Sequence, residues 1–186
     1  MRKFAFYALV ASALLAVVFN PFPAAGQSQP ALPAVGQTAP GFTLPSQDGS
    51  KISLKSFRGK YVVLYFYPKD MTPGCTIEAH NFQRDLPQYE KRNSVILGVS
   101  EDTPDSHQQF CTKEGLTFRL LADTKHKVAT AYGSLGSYNG TPIANRNTFL
   151  IDPHGKIVKV WTKVNPSVHS VEVLSTIDSV RPPQTQ

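Results

Sequence analysis

Two uninterrupted apolar runs dominate the hydrophobic pattern of the chain. The first, at 61–67 (YVVLYFY), has no polar position facing water, and the second, at 94–100 (SVILGVS), is nearly as continuous. A strand with one solvated face would alternate apolar and polar residues, whereas a strand covered on both faces does not. The pattern therefore predicts two central, fully buried strands.

Alternation of apolar and polar residues appears at both ends of the domain. Positions 42–44 and 52–54 flank an Asp-Gly turn within 47–50, which predicts a β-hairpin. Positions 147–151 and 156–161 flank the four-residue loop 152–155 and predict a second hairpin. A short strand is expected at 120–122.

A helical period follows Cys75. Ile77, Phe82, Leu86 and Tyr89 fall roughly on one helical stripe, and Pro87 is expected to kink or divide this helix near its third turn.

Three further helices are predicted. One spans 104–114, capped by Asp102 or Thr103 and ended by Gly115, and a short one spans 127–132. The last spans 168–180 and is expected to bury one face, formed by Val171, Leu174, Ile177 and Val180. Strands that alternate with helices and end in a hairpin predict an α/β sandwich with a mixed central sheet flanked by helices.

The 186 residues suffice for one domain with a substantial core, which we place at 36–180. Residues 1–26 combine a basic start, an apolar run and small residues before position 27, the pattern of a cleaved secretory signal. An uncleaved membrane anchor is the alternative. Residues 27–35 are predicted to form a flexible leader, and 181–186 a C-terminal tail.

Charge and cysteine count exclude several classes of protein. The formal charge of +6 falls to +4 without Arg2 and Lys3, and the remaining basic residues are scattered, so we predict no nucleic-acid partner. Two cysteines cannot form a disulfide-stapled miniature domain or a four-cysteine zinc site. In an oxidising compartment, however, the two could pair.

Cys75 lies where a buried strand has ended and a helix begins, after a loop that contains Pro73 and Gly74. Unpaired N–H groups and the helix dipole stabilise a thiolate at such a position, and the thiolate is the nucleophilic form. Position alone leaves open that Cys75 is simply a small buried apolar residue.

The spacing Pro68-x-x-x-Thr72-x-x-Cys75, within YPKDMTPGCT, resembles the active-site motif of the peroxiredoxins. The chain is most similar to the bacterioferritin-comigratory (PrxQ-type) branch, and the likeness extends from about residue 35 to 177. It includes LGVS at 97–100 and the strand RNTFLID, which begins at Arg146. The resemblance implies a thioredoxin-like fold and thiol peroxidase activity.

The resemblance also implies roles for these residues. Cys75 would attack a hydroperoxide and become a sulfenic acid. Arg146 would stabilise the thiolate and the charge that builds on the leaving oxygen, although a surface salt bridge is the alternative for this residue. Thr72 would accept a hydrogen bond from the peroxide and donate one to the thiolate, and Pro68 would shield the pocket. No metal or other cofactor is implied.

The resolving cysteine departs from the commonest pattern of the branch. Many members carry it five residues after the first cysteine, where this chain has His80. Cys111 lies 36 residues after Cys75, where other members place their resolving cysteine, so the resemblance implies an intramolecular Cys75–Cys111 disulfide. A free, buried Cys111 in a one-cysteine enzyme is the alternative. His80 is expected to be a packed or solvated helix residue.

Other readings fit the residues less well. A thioredoxin-type oxidoreductase needs a cysteine where Thr72 stands, and a glutathione-peroxidase-like enzyme needs Gln and Trp partners, whereas the single Trp161 lies in a late hairpin strand. An exported copper-binding protein or metallochaperone would use Cys75 with Cys111 or His80 as soft ligands, without the usual Cys-x-x-x-Cys.

The expected partners are therefore a hydroperoxide and a thioredoxin-like dithiol reductant. We expect a monomer exported to the periplasm or an equivalent compartment, without stable membrane association once the signal is cleaved.

Overall fold

A computed structural model describes residues 31–181. The expected signal at 1–26 lies outside the described residues, as do 27–30 of the predicted leader and 182–186 of the tail. Within 31–181, no helix is both long enough and apolar enough to cross a bilayer.

The described chain contains nine strands, four α-helices and a short 3-10 helix at Leu54–Phe57. The strands are β1 Thr43–Pro45, β2 Lys51–Ser53, β3 Tyr61–Phe66, β4 Ser94–Ser100, β5 Arg119–Ala122, β6 Leu135–Tyr138, β7 Thr141–Ala144, β8 Thr148–Ile151 and β9 Ile157–Trp161. The helices are α1 Pro73–Lys91, α2 Pro104–Glu114, α3 Lys127–Ala131 and α4 His169–Val180.

Five strands form the central sheet, in the order β5-β4-β3-β8-β9. The central strand β3 runs parallel to β4 and antiparallel to β8, and β4 runs parallel to β5. Strands β8 and β9 pair antiparallel, and β1 pairs with β2 in the N-terminal hairpin. The predicted mixed sheet and both predicted hairpins are confirmed. The hairpin of β6 and β7 was not predicted from the sequence.

The two apolar runs owe their continuity to a core on each side of the sheet. Every residue of β3 is buried, because alternate side chains enter opposite clusters. One cluster includes residues of β1, α3 and β3, and the other lies beneath α1, α2 and α4. The site described below belongs to the second cluster.

Helix α1 differs from its prediction in two ways. It continues as one helix of 19 residues past Pro87, so the proline, which was expected to kink or divide the helix, does not divide it. Ile77 is also 46% exposed, whereas Glu78, which lies outside the predicted apolar stripe, is buried. The buried face is formed by Cys75, Glu78, Ala79, Phe82 and Tyr89.

The predicted buried face of α4 is confirmed only in part. Ile177 is completely buried and Leu174 packs against the second cluster, but Val171 is 58% exposed and Val180 is 38% exposed. Val173, outside the predicted face, is completely buried. The buried residues of α4 are His169, Ser170, Val173 and Ile177.

The predicted caps of α2 are confirmed. Thr103 accepts a hydrogen bond from the N–H of Ser106 at 3.2 Å, and Gly115 ends the helix with a φ of 66°. This left-handed conformation suits glycine because it has no Cβ.

Candidate active site

Cys75 occupies the first turn of α1 and is 1% exposed. Pro73 starts the helix, with Thr72 as its N-cap, and no side chain among the described residues caps the first turn. No acidic residue lies in that turn. The free N–H groups and the positive end of the helix dipole therefore act on Cys75, as its position in the sequence predicts.

Arg146 brings a positive charge to this sulfur from the loop before β8. Its Nη2 atom lies 3.3 Å from Sγ of Cys75, although the two residues are 71 positions apart in sequence. The structure therefore places Arg146, which the sequence analysis named as a candidate site residue, beside Cys75.

Glu78 holds the other arm of the guanidinium and was missed by the sequence analysis. Nη1 of Arg146 donates to Oε2 of Glu78, which lies one turn after Cys75 on α1. Oε1 of Glu78 has no hydrogen-bond partner among the described residues. Glu78 lies three residues after Cys75, a spacing that places two side chains on the same face of a helix. This spacing was the signal in the sequence that could have identified Glu78 as part of the site.

Burial and charge oppose each other in this pair. Burial raises the pKa of Glu78 to about 7, although Arg146 opposes the increase. Burial lowers the pKa of Arg146, but the charges of Glu78 and Cys75 outweigh it and leave that pKa above its ordinary value. The guanidinium is thus a permanent cation held between a carboxyl group and a thiol.

Thr72 and Pro68 lie in the loop that joins β3 to α1. The hydroxyl of Thr72 donates to the carbonyl oxygen of Lys69 at 3.0 Å rather than to the sulfur of Cys75, and its lone pairs remain available as acceptors. Pro68 is half-buried and follows Tyr67 directly after β3. Both residues therefore belong to the segment that leads into Cys75.

Cys111 lies near the end of α2, in the same core cluster as Cys75, and both thiols are free. Cys111 is 6% exposed. Burial raises the pKa of its thiol to about 11, and the carboxylate of Asp70 adds to the increase. Its carbonyl oxygen accepts from the N–H groups of Gly115 and Leu116 at the helix end.

His80 is a surface residue, as expected. Its side chain is 51% exposed and its Nε2 lies 2.9 Å from a carboxylate oxygen of Glu114 at the end of α2. Within residues 31–181, no group of three or more His, Cys, Asp or Glu side chains is placed to hold a metal ion.

Comparison with known proteins gives a consistent result. Residues 35–160 match the AhpC/TSA family. Peroxiredoxin Bcp of Bacillus subtilis is 42% identical over 141 residues, which cover 72% of this chain and 88% of that protein.

Solved structures agree in fold. Peroxidoxin BcpB from Mycobacterium tuberculosis superposes with a TM-score of 0.76 at 29% identity, covering 81% of this chain and 99% of that one. A cysteine-to-serine mutant of PrxQ from Xylella fastidiosa gives a TM-score of 0.76 at 33% identity, covering 81% and 98%. The predicted thioredoxin-like α/β fold is confirmed.

Proposed function

The chain belongs to the AhpC/TSA family of peroxiredoxins and is a thiol peroxidase, and we propose that it reduces hydrogen peroxide and organic hydroperoxides through Cys75. The observation that carries this assignment is the 3.3 Å contact between Arg146 and Sγ of Cys75 at a helix N-terminus. Both features favour the anionic sulfur that the reaction requires.

In the first step, the thiolate of Cys75 attacks one peroxide oxygen and the O–O bond breaks. The leaving oxygen departs as hydroxide or alkoxide and takes up a proton, giving water or an alcohol, while the sulfur is oxidised to a sulfenic acid. Arg146 remains charged throughout and stabilises the negative charge as it moves from sulfur to the leaving oxygen.

The surrounding residues orient this attack. Glu78 accepts from one arm of Arg146 and so directs the other arm at the sulfur. Thr72, whose proton is held by the carbonyl of Lys69, keeps an acceptor lone pair for the peroxide O–H. Pro68 contributes no N–H and limits water at the start of the loop.

Cys111 resolves the sulfenic acid in the second step. Its sulfur attacks that of Cys75, an S–S bond forms, the S–O bond breaks, and water leaves with the thiol proton. The shared core cluster of the two cysteines supports this pairing over one with a second molecule. A thioredoxin-like dithiol then reduces the disulfide by thiol–disulfide exchange.

We also propose that the protein is an exported monomer that needs no metal or other cofactor. The basic and apolar segment at 1–26 supports export. N-terminal sequencing of the protein recovered from a secreting host should find Gln27 first. An intact Met1 on protein retained in the cytoplasm would contradict export.

The test of function is mass spectrometry after treatment of the reduced protein with one equivalent of hydrogen peroxide. We expect a loss of two mass units and a peptide that links Cys75 to Cys111. Cys75→Ser should abolish peroxide consumption. Chelators should leave peroxide consumption by the wild-type protein unchanged.

Cys111→Ser provides the matched control, because it should react once with peroxide and stop at the sulfenic acid. Turnover by Cys75→Ser would refute the assignment. A stoichiometric Cu(I) complex without peroxide turnover would support the metallochaperone alternative instead.

A further inference from the structure

A buried polar cluster joins the loop before Cys75 to the helix that carries Cys111. Asp70 lies five residues before Cys75 and is 5% exposed. Its carboxylate accepts hydrogen bonds from Tyr67 at 2.7 Å and from Ser106 at 2.7 Å, and it lies 2.9 Å from Nδ1 of His107. Tyr67, Asp70, Ser106 and His107 are called the anchor cluster below.

The anchor cluster connects two separate parts of the chain. Ser106 and His107 belong to the first half of α2, whereas Asp70 belongs to the loop between β3 and α1. The backbone N–H of Asp70 also donates to Asp102 at 2.9 Å, just before α2. Both the side chain and the main chain of Asp70 therefore hold the loop against the start of α2.

His107 suits this role because it is completely buried. A carboxylate can only accept, so Nδ1 carries the proton that faces Asp70. Nε2 of His107 has no hydrogen-bond partner among the described residues, so the polar contacts of the ring are confined to the side that faces Asp70 and Tyr67. The contact is shielded from water, unlike the exposed pair of His80 and Glu114.

The two cysteines extend from this fixed point by short stretches of chain. Cys75 lies five residues after Asp70, and Cys111 lies four residues after His107. Along the covalent chain, in contrast, the cysteines are 36 residues apart. Both thiols are free, so a disulfide forms only once the two sulfur atoms come within bonding distance.

We propose that Asp70 and His107 are positioning residues for disulfide formation, which anchor the Cys75 loop to α2 while the helical turns around the two cysteines rearrange. The proposal rests on the proposed resolving role of Cys111. Most of the 36 residues between the cysteines belong to α1 and β4, so they do not form a flexible loop. The anchor confines the rearrangement to two short segments, five residues from Asp70 to Cys75 and four from His107 to Cys111. Short segments that start from one fixed point raise the effective concentration of each sulfur atom at the other.

The opposite role would be a latch that must open before the cysteines can meet. The two roles predict opposite effects, because removing an anchor slows disulfide formation whereas removing a latch accelerates it. The rate of this one step therefore distinguishes them.

The experiment measures disulfide formation by rapid acid quench and mass spectrometry after one equivalent of hydrogen peroxide. Each rate is compared with the rate of sulfenic acid formation in the same variant carrying Cys111→Ser. Asp70→Ala removes the side-chain hydrogen bonds of the anchor and keeps the main-chain bond to Asp102, so it should slow disulfide formation by about fivefold. It should also raise the fraction of Cys75 oxidised to sulfinic acid at excess peroxide, because the sulfenic acid persists for longer.

Two control variants test whether the effect of Asp70→Ala comes from its lost hydrogen bonds. One removes only the charge of Asp70, and the other weakens a different contact between α1 and α2. Asp70→Asn removes the charge near Cys111. Its amide oxygen can still accept from both Ser106 and His107, and its amide nitrogen can donate to the hydroxyl oxygen of Tyr67, so the rate should stay within about twofold of the wild type. His80→Ala breaks an exposed contact between α1 and α2 and should leave the rate unchanged.

Tyr67→Phe removes the hydroxyl that donates to Asp70 and lies 3.3 Å from Nδ1 of His107, but it leaves the contacts of Asp70 with Ser106 and His107 in place. It gives a milder test if the alanine variant does not fold. We expect it to slow disulfide formation by about twofold.

An unchanged or faster rate in Asp70→Ala or, if that variant does not fold, in Tyr67→Phe would overturn the anchor while leaving the resolving role of Cys111 intact. Absence of a Cys75–Cys111 disulfide in the wild-type protein would overturn the resolving role itself, and the anchor with it.

Discussion

Nη2 of Arg146 lies 3.3 Å from Sγ of Cys75, and the same guanidinium is held through Nη1 by the buried carboxyl group of Glu78. The cation is therefore fixed between a group that orients it and a sulfur that it stabilises. Because Arg146 is mostly buried, water screens its charge only weakly.

Arg146→Gln should slow the reaction of Cys75 with hydrogen peroxide by about 10²–10³-fold, the usual cost of losing a donor aimed at developing charge. Arg146→Lys should recover only part of the rate, because an ammonium group cannot bridge Glu78 and Cys75 with two planar arms. Stopped-flow kinetics under single-turnover conditions measures this. Equal rates for the Gln variant and the wild type would remove Arg146 from the mechanism.

Glu78 makes stability depend on pH. Its pKa of about 7 in the folded state lies above the ordinary value of 4.5, so the folded state binds the proton more tightly than the unfolded state. The contribution of Glu78 to stability is therefore fully present below pH 4.5 and is lost as the pH rises to about 7. Above that it stays constant.

Glu78→Gln should remove this dependence, so its stability relative to the wild type should improve by about 1–3 kcal/mol between pH 4.5 and 7.5. Denaturant unfolding at a series of pH values tests this. A constant difference between the two proteins across that range would contradict the raised pKa.

Gly98→Ala should destabilise the fold. A Cβ at Gly98 would lie 2.7 Å from the Tyr65 phenol oxygen and 2.7 Å from a methyl group of Leu120. Both neighbours are buried, so the expected cost is about 1–3 kcal/mol. Gly41→Ala is the matched control, since no atom lies within 4 Å of its added Cβ. Equal denaturation midpoints for the two variants would show that the core can absorb the methyl group.

Pro87→Ala should stabilise the protein by about 1–2 kcal/mol, because alanine supplies the N–H that proline lacks inside a continuous helix. The more flexible unfolded chain offsets part of the gain. The midpoint of unfolding in guanidinium chloride measures this. A lower midpoint for the variant than for the wild type would mean that Pro87 stabilises α1.

Features that depend on residues close together in the sequence were predicted correctly, whereas features that depend on packing between distant segments were predicted only in part. The continuous run of β3 and the Gly115 terminus of α2 are local patterns, and both predictions are confirmed. The buried faces of α1 and α4 were partly wrong, since Ile77 and Val171 are exposed. Hydrophobic spacing identifies a helix, but which stripe is buried depends on what packs against it.

The sequence by itself determined the alternation of strands and helices and the position of Cys75 at a helix start. It also contains the motif whose resemblance to the peroxiredoxins led us to propose Thr72 and Arg146 as site residues. Only the tertiary structure showed that two acidic residues, Glu78 and Asp70, are buried. Glu78 is hydrogen-bonded to Arg146, and Asp70 is hydrogen-bonded to residues of α2. The reason is physical: an acidic side chain in a sequence is expected in water, and only a partner supplied by a distant segment makes its burial favourable.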